Sequence, residues 1–150
     1  MKSFVVDASI VLKWYLPDEQ GVEQALYLLE EFVEGKVTLH APDLIDYEFT
    51  NAMWVAGQMG RINLEARNDA VNNFLSIEIA KTNIKEFSKG LLMLATKHNR
   101  SCYDAAYLAL SDLMKAPLVT GDKRLYNAVK DSVSSLIWIE DIELSPPRMS

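Results

Sequence analysis

Short apolar runs alternate with longer stretches whose apolar residues return every three or four positions, and few folds accommodate that order. The runs are Phe4-Val5-Val6, Val37-Thr38-Leu39, Ser76 to Ala80, Pro117 to Thr120 and Leu136 to Ile139, each of strand length. Between them the spacing predicts helices over Ser9 to Tyr15, Gly21 to Glu34, the segment from Pro42 to near Gly57, Leu64 to Leu75, Ile84 to His98, Ser101 to Met114 and Asp122 to Val129. Strands that are apolar throughout, each followed by a helical stretch, are buried on both faces. The alternation therefore predicts an α/β chain with a mostly parallel central sheet covered by helices on both sides.

No linker, repeat or low-complexity stretch divides the 150 residues, so residues 1–144 are expected to form one domain, followed by a frayed tail over 145–150 with its two prolines. The single cysteine, Cys102, excludes an internal disulfide and any CxxC metal knuckle. The longest charge-free stretch, Phe49 to Gly60, has 12 residues, short of the ~18 needed to cross a bilayer. Asp7 interrupts any apolar core of a secretory signal. A reduced, cytoplasmic protein with no membrane partner is expected. Its net charge is −6, and residues 1–75 hold five basic and twelve acidic side chains. Such a chain is a poor non-specific ligand for polyanions, because phosphate contacts need Lys and Arg. A nucleic-acid partner would require a local basic rim or bound cations.

Four acids occupy informative positions. Asp7 directly follows the first strand, and Asp122 follows Leu118-Val119-Thr120-Gly121. Glu48 lies in the helix after Pro42, and Asp104 in the first turn of the Ser101 helix. In open α/β sheets, ligands bind outside the carboxyl ends of the strands, where these acids can converge on one rim. Each also has a structural explanation. Ser101-x-x-Asp104 has the form of a capping box, Asp122 suits a helix N-cap, and Glu48 suits a solvated helix face. Asp7 is the hardest to explain that way, because it lies next to the buried sheet end. Two carboxylates ~4 Å apart repel by about 4 kcal/mol at an effective dielectric near 20, so four gathered together would hold protons or cations. Oxygen donors suit Mg²⁺ or Mn²⁺, and the scarcity of His and Cys disfavours zinc. The corresponding chemistry is metal-assisted phosphodiester hydrolysis, with water activated as the nucleophile.

The blocks Val5-Val6-Asp7-Ala8-Ser9, Glu48-Phe49-Thr50-Asn51-Ala52, Tyr103-Asp104-Ala105-Ala106-Tyr107-Leu108-Ala109-Leu110 and Val119-Thr120-Gly121-Asp122-Lys123-Arg124-Leu125 resemble, in order and approximate spacing, the PIN domain. The nearest subgroup is the VapC-type toxins of prokaryotic toxin–antitoxin pairs. The resemblance runs from about Phe4 to Ile139. It implies a three-layer α/β/α fold and a ribonuclease dependent on Mg²⁺ or Mn²⁺, whose catalytic and metal-holding acids are Asp7, Glu48, Asp104 and Asp122. Ser9 and Thr120 would orient carboxylates or metal-bound waters, and Asn51 would line the site. The resemblance also implies products with 5′-phosphate and 3′-hydroxyl ends, an RNA substrate (tRNA, rRNA or mRNA), a cognate antitoxin that plugs the acidic site, and a homodimer. Lys123 and Arg124, beside Asp122, are candidates for RNA phosphate contacts, as is Lys13. Trp14, Tyr15, Tyr47 and Trp54 suit the core, a dimer seam or an antitoxin groove, the core being the commonest place for aromatics at helical spacing.

Other phosphate chemistries fit less well. There is no GxGxxG, Walker A or GxSxG pattern. A dehalogenase-like phosphatase would need a second Asp where Ser9 stands, and a response-regulator receiver would need an acid where Val6 precedes Asp7. The competing class is a non-cleaving PIN-fold module that binds RNA or protein, since a fold alone does not fix an activity.

Overall fold

The structure is a computed structural model describing residues 1–145; the expected tail beyond Ser145 lies outside the described residues. Five strands, β1 (Lys2–Val6), β2 (Val37–Pro42), β3 (Ala80–Thr82), β4 (Leu118–Thr120) and β5 (Leu136–Trp138), form one sheet in the order β3-β2-β1-β4-β5. Every pairing is parallel, as the unbroken apolar runs require. The helices are α1 (Ala8–Tyr15), α2 (Val22–Val33), α3 (Ile45–Gln58), α4 (Leu64–Ser76), α5 (Ser88–His98), α6 (Cys102–Met114) and α7 (Lys123–Val129).

Parallel neighbours need crossovers, and these are nearly always right-handed. The chain steps from β1 to β2 to β3 in one direction and then from β4 to β5 in the other, which puts α1–α4 on one face and α5–α7 on the opposite face. Helix packing agrees: α1 lies against α2 and α3, and α3 against α4, while α5 packs on α6, which covers β1 and β2. The result is the three-layer α/β/α arrangement.

The first layer is anchored by Phe49, fully buried between Tyr15 and Phe74 with ring centroids 5.4 and 4.7 Å away. At the start of α2, Gly21 sits at φ 73°, and a Cβ there would stand 2.9 Å from the Ile139 side chain. A left-handed turn and a close approach thus coincide, and both demand glycine.

Two expected elements move. The third strand is not Ser76 to Ala80 but Ala80–Thr82. Ser76 instead ends α4, its hydroxyl donating to the Asn73 carbonyl at 2.6 Å, and Ile77 serves as the helix C-cap. The helix expected from Ile84 is split into a 3-10 turn at Lys85–Phe87 followed by α5, with the Asn83 side chain accepting from the Lys85 N–H at 3.0 Å. Of the aromatics assigned to the core, Trp14 and Tyr15 pack against it, whereas Tyr47 is 80% exposed and Trp54 55% exposed on α3.

Candidate active site

The strand order reverses between β1 and β4, and at such a switch point the crevice beyond the strand ends is the natural binding position. Register pairs Val5 with Leu118 and Val6 with Val119; continued by one residue, it sets Asp7 opposite Thr120. The Thr120 hydroxyl donates to Asp7 Oδ2 at 2.5 Å. Asp7 is also the N-cap of α1: its Oδ1 accepts the Ser9 N–H at 3.1 Å and a short bond from the Ser9 hydroxyl. Ser9 Oγ in turn accepts the Gly121 N–H at 2.8 Å, and Thr120 Oγ1 accepts the Asp122 N–H at 3.0 Å. These hydroxyls tie the two strand ends together and immobilise the Asp7 carboxylate.

Asp122 caps α7 through one oxygen, Oδ1, which accepts the Arg124 and Leu125 N–H groups at 3.0 and 3.2 Å. Glu48 projects from the first turn of α3, where its Oε1 accepts the Tyr107 hydroxyl at 2.6 Å. Asp104 comes from the first turn of α6. Its backbone N–H is capped by Ser101 Oγ at 3.0 Å, while its carboxylate Oδ2 accepts from Arg100 Nε at 3.0 Å. Half of the expected capping box therefore forms, and the Asp104 carboxylate is turned to Arg100 instead. Glu48, Asp104 and Asp122 thus share a pattern: one oxygen is held by the protein, and among the described residues no donor reaches the other.

Asp122 acts electrostatically on each of the other three carboxylates, and Asp104 acts on Glu48. Burial, reinforced by the charge of Asp122, pushes Asp7 up to about 6, against the lowering effect of its Ser9 and Thr120 hydrogen bonds. Burial also raises Glu48, with Asp104 and Asp122 adding to it, and raises Asp104, with Asp122 adding and Arg100 opposing. Asp122 is the common neighbour, acting on the other three. Two of the acids come from strand ends and one from each helical layer, so the rim joins all three layers of the fold.

A measurable consequence follows for Asp7. In the folded protein it holds its proton more tightly than an ordinary carboxyl at 3.8. Its contribution to stability is therefore fully present below about pH 4 and is lost as pH rises through about 6. At ~1.4 kcal/mol per pK unit, the loss is on the order of 3 kcal/mol. Asn, which mimics the neutral acid, is expected to stabilise the metal-free protein at pH 8 by up to that amount in Asp7→Asn. The gain should vanish near pH 4, as read by urea denaturation in EDTA at the two pH values.

Of the other sequence-predicted residues, Lys123 and Arg124 are exposed on the first turn of α7 beside Asp122, and Asn51 is exposed one turn beyond Glu48. Lys13 is only 4% exposed. Its ammonium pairs with Glu19 at 3.3 Å and its stem lies over Gly121, where a Cβ would collide with Lys13 Cε. Tyr107 and Arg100, which grip Glu48 and Asp104, were not among the predicted site residues. Arg100 lies one residue before the Ser101 N-cap, outside α6, so helical spacing gave no signal for its pair with Asp104.

All donors at the rim are carboxylate or hydroxyl oxygens, the hard ligands that suit Mg²⁺ or Mn²⁺. Among the described residues, no three His, Cys, Asp or Glu side chains stand together at metal-ligating spacing. The arrangement is an open acidic rim rather than a closed cage, and Mg²⁺ is characteristically held by one or two carboxylates with waters and substrate phosphates completing its shell. A separate groove of about 500 Å³ between α5, α6 and the loop before β5 contains none of the four acids.

Comparison with known proteins places the chain. The PIN domain profile matches residues 4–131. The chain is 35% identical over 127 residues to Ribonuclease VapC3 of Pyrobaculum aerophilum, covering 81% of this chain and 90% of that protein. It is 31% identical over 121 residues to Ribonuclease VapC12 of Mycobacterium tuberculosis, covering 81% and 88%. Two solved structures share the fold. The crystal structure of PAE2754 from Pyrobaculum aerophilum has a TM-score of 0.67 at 22% identity, covering 93% of this chain and 92% of its own. That of VapBC2 from Rickettsia felis, bound to a DNA fragment from its promoter, has a TM-score of 0.59 at 14% identity, covering 91% and 96%. The chain belongs to the PIN-domain family, among the VapC ribonucleases. Among the described residues no helix is long and apolar enough to cross a membrane.

Proposed function

We propose that this chain is an endoribonuclease dependent on Mg²⁺ or Mn²⁺, the toxin of a VapBC-type pair, hydrolysing RNA phosphodiesters at Asp7, Glu48, Asp104 and Asp122. The observation that supports this reading is that Asp122 acts electrostatically on Asp7, Glu48 and Asp104 beside the switch point, while Glu48, Asp104 and Asp122 each have only one oxygen held by the protein. When bound, the divalent ion supplies Lewis-acid chemistry: it makes water a nucleophile near neutral pH and screens the charge that develops on the phosphate.

The protein's own part is to hold and to orient. Ser9 and Thr120 donate to both oxygens of Asp7 and so orient its carboxylate. Asp122 is fixed by the α7 backbone through Oδ1, and no donor among the described residues reaches its Oδ2. Lys123 and Arg124 lie beside it, where they would guide a phosphate into an otherwise acidic region. Lys13 would reach a phosphate only if its pair with Glu19 opened. The same reading brings an antitoxin partner, supported by the VapBC2 neighbour, together with a homodimer and a cytoplasmic setting.

Thermal denaturation tests the site directly. An ion that binds only the native state adds about 2.7 kcal/mol at a hundred times its Kd. For a chain of this size, that is a rise of roughly 5–10 °C in Tm. Mn²⁺ is expected to give this rise in the wild type and a smaller one in Asp122→Asn, and total RNA incubated with the wild type and Mn²⁺ should yield discrete fragments. RNA retention without any metal-dependent fragment would instead favour a non-cleaving RNA-binding module.

A further inference from the structure

The Tyr107 hydroxyl is the only polar atom of a side chain that is 2% exposed, and it is spent on Glu48 Oε1 at 2.6 Å. Tyr107 stands three residues after Asp104 on α6, so the two share a helix face. Glu48 belongs to α3, in the opposite layer. The bond therefore ties α3 to α6, holding Glu48 from the helix that also supplies Asp104, over a separation of 59 residues between Glu48 and Tyr107.

A phenol keeps its proton up to about pH 10, so the hydroxyl is the donor in its bond to Glu48. No other described group holds Glu48, whose side chain would otherwise be free to rotate about its flexible stem. We propose that Tyr107 is a positioning residue, which holds Glu48 Oε1 so that Oε2 faces the divalent cation. This inference rests on the metal-dependent reading above and deepens it by assigning the group that sets one ligand's orientation.

Groups that orient a metal ligand typically account for about 10–100-fold in metal affinity. The test is Mn²⁺ uptake by RNA-free protein, followed by the electron paramagnetic resonance signal of free and bound Mn²⁺, in wild type, Tyr107→Phe, Glu48→Ala and the double variant. Tyr107→Phe keeps the ring and its packing, and its circular dichroism and Tm are measured alongside. The expected result is a Kd raised about tenfold in Tyr107→Phe, an altered bound-Mn²⁺ spectrum, and no further change when Tyr107→Phe is added to Glu48→Ala. Wild-type affinity in Tyr107→Phe would overturn the assignment while leaving the metal reading intact. So would an equal loss in the Glu48→Ala background, because the hydroxyl would then act through the fold rather than through Glu48. No Mn²⁺ uptake by the wild type would overturn the metal reading itself and the assignment with it.

Discussion

Asp104→Asn is expected to reduce RNA cleavage by at least about a hundredfold while the protein remains folded. The substitution keeps the shape of the side chain and removes its charge. Orienting groups around a metal ligand already account for about 10–100-fold, so the loss of a proposed ligand belongs at or beyond the upper end. The structural cost is small: the pair with Arg100 that the substitution weakens is partly exposed, a contact worth less than about 1 kcal/mol, and removing a charge that burial and Asp122 disfavour offsets it, so Tm is expected to stay within about 2 °C of wild type. Initial rates on a defined RNA, with Tm measured on the same preparations, check both halves. Cleavage within a few fold of wild type would remove Asp104 from the chemistry and leave it as a helix-end acid.

Phe49→Ala should give the largest loss of stability, about 3–5 kcal/mol, or roughly 6–20 °C in Tm. Phe49 has no exposed surface and fills the space between Tyr15 on α1 and Phe74 on α4. It also immediately follows Glu48, so its packing determines which way the first turn of α3 presents that acid. Trp54→Ala on the same helix, where the ring is 55% exposed, should change stability by no more than about 0.5 kcal/mol. Differential scanning calorimetry separates the two. Similar losses for both would mean that the Phe49 cluster is not the anchor of this layer.

The sheet was legible because its central strands are buried on both faces and therefore read as unbroken apolar runs. β3 was misplaced for the corresponding reason. It is an edge strand with one neighbour, its residues Ala80, Lys81 and Thr82 carry little apolar signal, and the alternating Ser76-Ile77-Glu78-Ile79 just before it imitates a strand. The acids stood out because a carboxylate beside an apolar run is costly unless something uses it. What periodicity could not convey was direction. It left the Asp104 carboxylate with the Ser101 cap rather than Arg100. It offered Lys13 as an RNA phosphate contact, although α1 lays its stem over Gly121 and its ammonium pairs with Glu19. It also passed over Tyr107, whose ring belongs to the core and whose hydroxyl belongs to the rim. These are facts of side-chain orientation, set four residues away for Asp104 and 59 residues away for Tyr107, which apolar periodicity does not encode.

The central claim is that RNA is cut by water activated at a divalent cation held on this rim, rather than by the RNA's own 2′-hydroxyl. The most direct measurement is the end-group chemistry of products from a defined RNA, in Mg²⁺ or Mn²⁺ and in EDTA. Fragments that form only with metal and carry 5′-phosphate and 3′-hydroxyl ends are the predicted result. Cleavage that persists in EDTA and leaves 2′,3′-cyclic phosphates with 5′-hydroxyl ends would contradict it.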